Sequence, residues 1–169
     1  MYSSPQSPAS SIPAISADAP LADGQLMLRL ARELADRSDT GHPARTLAGR
    51  NLALVAEEDD PSANMFCLAA LDLGAHVSHI RPALTVRSDP DEIRQTARVL
   101  GKLYAALEWP GIAPTLMEQL RKEAEIPVFD GISQPHHPLA GLAEQLDIQA
   151  SIDTKWRLLI QALLLRALQ

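Results

Sequence analysis

Apolar residues in this chain fall into helical stripes and short compact runs that alternate with one another. From Asp23 the spacing of Leu26, Leu30 and Leu34 predicts a helix that Gly41, His42 and Pro43 bring to an end. Leu52 to Ala56 is an unbroken apolar run with acids directly behind it, which suits a strand buried on both faces and ending at a polar rim. Pro61 to Leu73 reads as a helix with proline in its first turn and Gly74 as its stop. A short strand, His76 to Ile80, leads into a loop to Ser88. Asp89, Pro90 and Glu92 then give a capping acid, a proline at the first helical position and a Glu three residues after the cap, so a helix runs to about Leu100. Tyr104 to Trp109 is a predicted third strand, Thr115 to Ala124 a helix and Ile126 to Phe129 a fourth strand. His137 to Leu146 and Thr154 to Leu168 are two further helices.

Strands that alternate with helices at this spacing imply a parallel sheet, because right-handed crossovers lay the helices over both of its faces. The predicted architecture is a single three-layer α/β domain, a four-stranded parallel sheet flanked by helices, spanning residues 23–169. Residues 1–22 are rich in Ser, Pro and Ala without an apolar period, and are expected to form a disordered tail. Ligands in such folds sit at the carboxyl ends of the strands. The loops of interest are therefore Glu57 to Pro61, Ile80 to Ser88, Trp109 to Pro114 and Asp130 to Pro138.

Composition narrows the field. With 4% aromatic residues the core must be mostly aliphatic, and a net charge of −6 supplies no basic field for nucleic acid. The lone Cys67 rules out an internal disulfide and reads as a small buried hydrophobe in a reducing compartment. No apolar run approaches the roughly 20 residues needed to span a bilayer, and the first residues lack a signal core. A cytoplasmic protein with no membrane association is expected. Gly-rich dinucleotide and phosphate-cradling motifs are missing, and no cofactor is expected.

Three segments carry a resemblance. TARVLGKLYAALEWPG, from Thr96 to Gly111, is similar to a segment D-T-A-R-V-L-G-R-M-Y-D-G-I-E-Y-R-G of the ornithine and aspartate carbamoyltransferases, most closely the ornithine branch. IPVFDGISQPHHPLAGLAEQLDI, from Ile126 to Ile148, resembles that family's V-P-V-I-N-G-L-S-D-x-x-H-P-x-Q-A-L-A-D-L-L-T-I. FCLAALDLGAHV, from Phe66 to Val77, resembles F-E-x-A-A-x-x-L-G-A-x-V. The resemblance covers about Asp23 to Ile148 and implies the carbamoyl-phosphate-binding half of the family fold. WRLLIQALLL, from Trp156 to Leu165, resembles the last helix of a complete family member, which returns to this half. Residues 153–169 are thus read as that helix, retained while the amino-acid-binding half is missing.

The departures are as informative. Counted back from Leu73-Gly74-Ala75, the family's phosphate-binding S-T-R-T-R falls on Asp59, Asp60, Pro61, Ser62 and Ala63, so both arginines are lost. The arginine of the family's Y-R-G turn falls on Pro110, and the glutamine of its H-P-x-Q motif on Ala140. What the resemblance leaves of the carbamoyl-phosphate site is Ser62, His137 and Arg157, with no catalytic residue assigned.

Other readings of these residues compete. His136 and His137 invite a metal, but adjacent side chains rarely converge and no third ligand lies at the right spacing. Glu57, Glu58, Asp59 and Asp60 suit either a divalent cation or a solvated loop with helix-capping acids. Two functions follow. One is a catalytically inactive paralogue acting by association with itself, as a trimer by the family's habit, or with an active carbamoyltransferase. The other is a residual or altered transferase that binds a carbamoyl, acyl or amide ligand. In the first, the helix holding Phe66, Ala69, Ala70, Leu73 and Gly74 is the expected assembly element.

Overall fold

Four parallel strands form the centre of the molecule in a computed structural model that describes residues 23–41, 45–57 and 59–169. The predicted tail, the His42-Pro43 part of the first helix stop, and Glu58 lie outside the described residues. The strands are β1 (Asn51–Leu54), β2 (His76–His79), β3 (Ala106–Glu108) and β4 (Val128–Phe129), in the order β2-β1-β3-β4. Leu52 lies opposite Ala106, Leu54 opposite Glu108, and Glu108 opposite Phe129. Side chains alternate across a strand. Leu52, Leu54, Ala106 and Phe129 therefore enter one core, and Ala53, Leu107 and Val128 the other.

Six α-helices cover the two faces among the described residues. On the first lie α1 (Gly24–Asp39), α2 (Pro61–Asp72), α5 (Pro138–Leu142) and α6 (Ile152–Leu168); on the second lie α3 (Pro90–Leu103) and α4 (Pro114–Ala124). The three-layer α/β expectation holds. Proline opens α2, α3, α4 and α5, where its missing N–H costs nothing. Asp89 caps α3 by accepting from the Asp91 amide at 2.8 Å.

Several boundaries differ from the expected ones. Met27, Leu28, Ala31 and Leu34 are the buried residues of α1, and Leu26 and Leu30 lie at its margin. An every-fourth-residue row drifts by about 40° per step, so it cannot stay on one face of a straight helix. The third strand starts at Ala106 because Tyr104 still closes α3, its N–H donating to the Leu100 carbonyl at 2.9 Å. The helix expected from His137 to Leu146 is α5 followed by a 3-10 turn, Ala143–Gln145.

Helix α6 is held on all sides, for Leu158 to Leu165 are consecutively buried. Such burial is what an apolar surface around the whole helix demands. It runs antiparallel to α1: Arg166 near its end pairs with Asp23, and its first turns lie beside residues 34–39. Trp156, at its outer end, is half-buried.

The two helices on the second face meet at Gly101 of α3. A Cβ there would fall inside the contact distance of the Ala124 carbonyl oxygen, so only glycine lets the backbones approach this closely. Gly101→Ala should destabilise the protein by about 1–3 kcal/mol despite the helix propensity of alanine. Gly141→Ala in α5, where a Cβ meets nothing within 4 Å, should be neutral or stabilising. Urea denaturation of both variants checks the contrast.

Candidate functional site

The connections from β1 and β3 leave in opposite directions across the sheet, and this divergence opens a crevice at the carboxyl ends of the strands. Three loops meet there. Asp60, behind β1, accepts from the Ser62 amide at 2.8 Å and faces Gln134, behind β4, whose side-chain amide donates to its second oxygen at 3.4 Å. Asp130, also behind β4, accepts from the Gly111 amide behind β3 at 2.7 Å. The chain's own polar groups thus bridge the crevice.

Asp60 is the N-cap of α2, with extended backbone geometry ahead of Pro61. Its carboxylate occupies the place where a helix start would otherwise offer amides to an anion. Pro61 has no N–H, and the N–H of Ser62 is spoken for. Ser62 itself is buried at the helix start. Asp59 is exposed beside it, and Glu57 is an exposed partner of Arg81 at 3.2 Å. With Asp59, Asp60 and Asp130 on its rim, the crevice is acidic.

His137 is buried and caps α5, its Nδ1 accepting from the Leu139 amide at 3.1 Å. An accepting Nδ1 leaves the proton of the neutral ring on Nε2. Burial pushes its pKa below the ordinary value, partly opposed by Asp130 and helped by His136.

Arg157 does not join Ser62 and His137. It pairs through Nε with Asp72 at 3.2 Å, while Gln161 donates to the same carboxylate at 2.9 Å. Asp72 closes α2 ten residues beyond Ser62, about 15 Å along the helix. Of the three residues expected to remain from an anion site, the structure therefore places Ser62 and His137 at helix starts on the crevice and Arg157 at the opposite end of the fold. Arg157 there lines a cavity of about 530 Å³ together with Asp36, Asp72, Ile148, Thr154 and Gln161. That cavity lies away from the crevice.

Sequence reasoning passed over Glu108. It ends β3 with its side chain fully buried on the first face, and neither carboxyl oxygen has a hydrogen-bond partner. Burial, with Asp130 nearby, pushes its pKa from 4.5 up to about 8. The amides of Gly131, Ile132 and Ser133 lie toward it and oppose the rise, though none reaches good bonding geometry. The Ser133 hydroxyl is buried and unpartnered too. The available signal was an acid directly after the apolar pair Ala106-Leu107, in a strand that should be dry.

Cys67 is half-buried rather than fully buried, and burial raises its thiol pKa, which keeps it protonated and unreactive. Among the described residues no three metal-ligating side chains converge, and no helix is long and apolar enough to cross a membrane.

Residues 16–150 match the family described as aspartate/ornithine carbamoyltransferase, carbamoyl-P binding domain. The chain belongs to the aspartate/ornithine carbamoyltransferase family. It is 34% identical over 128 residues to the catabolic ornithine carbamoyltransferases of Pseudomonas putida and Burkholderia mallei, a stretch covering 75% of this chain and 38% of each relative. The chain thus spans well under half the length of these curated relatives. Among solved structures it resembles the ornithine carbamoyltransferase of Pyrococcus furiosus, with a TM-score of 0.61 at 27% identity over 77% of this chain and 42% of that one. A mitochondrial ornithine carbamoyltransferase from Coccidioides immitis, at 15% identity with a TM-score of 0.59, covers 81% of this chain and 46% of its own, and shares the fold. Within this carbamoyltransferase domain the acidic crevice stands where the fold places ligands.

Glu108 should make stability depend on pH. Below about 4.5 the folded and unfolded chains both hold its proton, and up to about 8 the folded chain alone retains it. Release then favours unfolding, so this contribution to stability falls as pH rises through that window and is level above it. At roughly 1.4 kcal/mol per pH unit the loss amounts to a few kcal/mol. Glu108→Gln should remove this component of the slope, as measured by denaturation midpoints across the window.

Proposed function

We propose that this carbamoyltransferase domain is non-catalytic, does not hold carbamoyl phosphate, and acts by association, with itself as a trimer or with an active carbamoyltransferase. The observation that supports this most is the Asp60 carboxylate bonded to the Ser62 amide at 2.8 Å, which fills the start of α2 with a negative charge of the chain's own. A phosphate dianion entering there would meet that charge and Asp59. A pair of like unit charges about 4 Å apart costs roughly 4 kcal/mol at a near-surface effective dielectric of about 20. The arginines of the family pattern do not offset it, because Pro61, Ala63 and Pro110 stand in their places. Arg157 is engaged with Asp72 elsewhere. Cys67, kept as a thiol, suits a reducing compartment such as the cytoplasm.

Association needs an apolar surface, and α2 supplies one. Phe66, Ala69, Ala70 and Leu73, the residues that carry the resemblance on this helix, are 0–1% exposed and belong to the domain's own core. The outward apolar residues of α2 are instead Leu68 and Leu71, 38% and 63% exposed and three positions apart on one face.

Titration calorimetry with carbamoyl phosphate should give no saturable binding up to about 1 mM, because loss of three charge-assisted contacts weakens affinity at least about a thousandfold. A dissociation constant well below that sinks the reading.

Light scattering at two concentrations should report a trimer, and the double variant Leu68→Glu, Leu71→Glu should dissociate it while leaving the circular dichroism spectrum unchanged. A monomer for the unmutated chain at micromolar concentration would remove the argument for association.

A further inference from the structure

We propose that Glu108 is a positioning residue for the loop 130–137, its carboxyl group deciding how that loop sits against its neighbours and hence where His137 lies. Glu108 ends the third strand, pinned on one side by the Val55 amide donating to its carbonyl at 2.8 Å and paired on the other with Phe129. Its side chain is 0% exposed and both oxygens are unpartnered. Three consecutive amides of the loop, those of Gly131, Ile132 and Ser133, lie beside it. Buried oxygens without partners are rare in folded proteins, and here the donors that act on them are amides of this one loop.

The loop has the form of a hinged strap. It starts at Asp130, tied to the Gly111 amide, and turns through Gly131 at φ 68°. Gln134 ties it to Asp60, and it ends at His137, tied to the Leu139 amide. A neutral Glu108 carboxyl carries one O–H and holds no charge that would draw the amides in. An ionised one is an acceptor only, and the three amides are the donors closest to hand; drawing them in pulls the strap toward β3. The longest tie, Gln134 to Asp60 at 3.4 Å, gives first. The proton passes to solvent.

The charges around this group are few. Asp130 acts on Glu108 directly and resists its ionisation. Arg121 of α4 and His137 at the start of α5 act on Asp130, Arg121 while holding the Val128 carbonyl at 2.6 and 3.0 Å. Across the crevice Asp60 remains bound to the Ser62 amide.

The test is a heteronuclear NMR titration of the full chain from about pH 6 to about pH 9.5, the range in which a raised carboxyl of this kind loses its proton. The amide signals of Gly131, Ile132 and Ser133 should shift together with a midpoint near 8, and the His137 ring signals should inflect at the same pH. Glu108→Gln, which keeps the size and neutrality of the protonated group, should hold all of these at the low-pH positions of the unmutated chain throughout. A buried acid with a merely structural role would alter the melting temperature without moving these signals. Three flat amides in the unmutated chain overturn the proposal whether or not the variant folds, and so does an inflection that survives in Glu108→Gln.

Discussion

The pairing of β1 with β3 has to be dry on both faces. Leu52 to Leu54 and Ala106 to Glu108 are all buried, and every backbone group between them must be satisfied within the sheet. This one requirement forces helices over both faces and sends the loops out at the carboxyl edge. It also denies water to whatever side chain ends β3. A leucine there would have been unremarkable packing; a glutamate becomes a titratable group in an apolar layer, with its ionisation displaced toward neutral pH.

At the crevice the same helix start can serve two opposite purposes. A helix N-terminus offers amides and a partial positive charge, and it attracts either a ligand or a capping side chain. In this chain Asp60 takes that role, Pro61 removes one amide and Ser62 donates another inward. Such a cap typically stabilises a helix by about 1 kcal/mol. An anion-binding device and a stabilising cap thus differ by a few side chains at the same kind of helix start.

Much of this was legible in the residues, and the failures have physical causes. Pro61, Pro90 and the Asp89 cap act locally, so they marked the starts of α2 and α3 correctly. The buried face of α1 is chosen by α6, more than 100 residues away, and the row through Leu26 and Leu30 could not foresee it. Motif alignment gave the positions of Ser62 and His137, both at helix starts beside the crevice. It gave Arg157 by likeness to a helix whose direction only three-dimensional packing decides, and Asp72 holds that side chain at the far end. Glu108 escaped notice because an acid in an alignment looks the same buried or exposed. Phe66 and Leu73 suggested a contact surface, but their burial faces inward.

The antiparallel pair of α1 and α6 joins the first and last helices of the described fold, with Asp23 and Arg166 clasped at one end of it. Tension applied at residues 23 and 168 would therefore open this pair as a zipper opens, one turn after another, instead of shearing all its contacts at once. The sheet would be spared until both helices had peeled away.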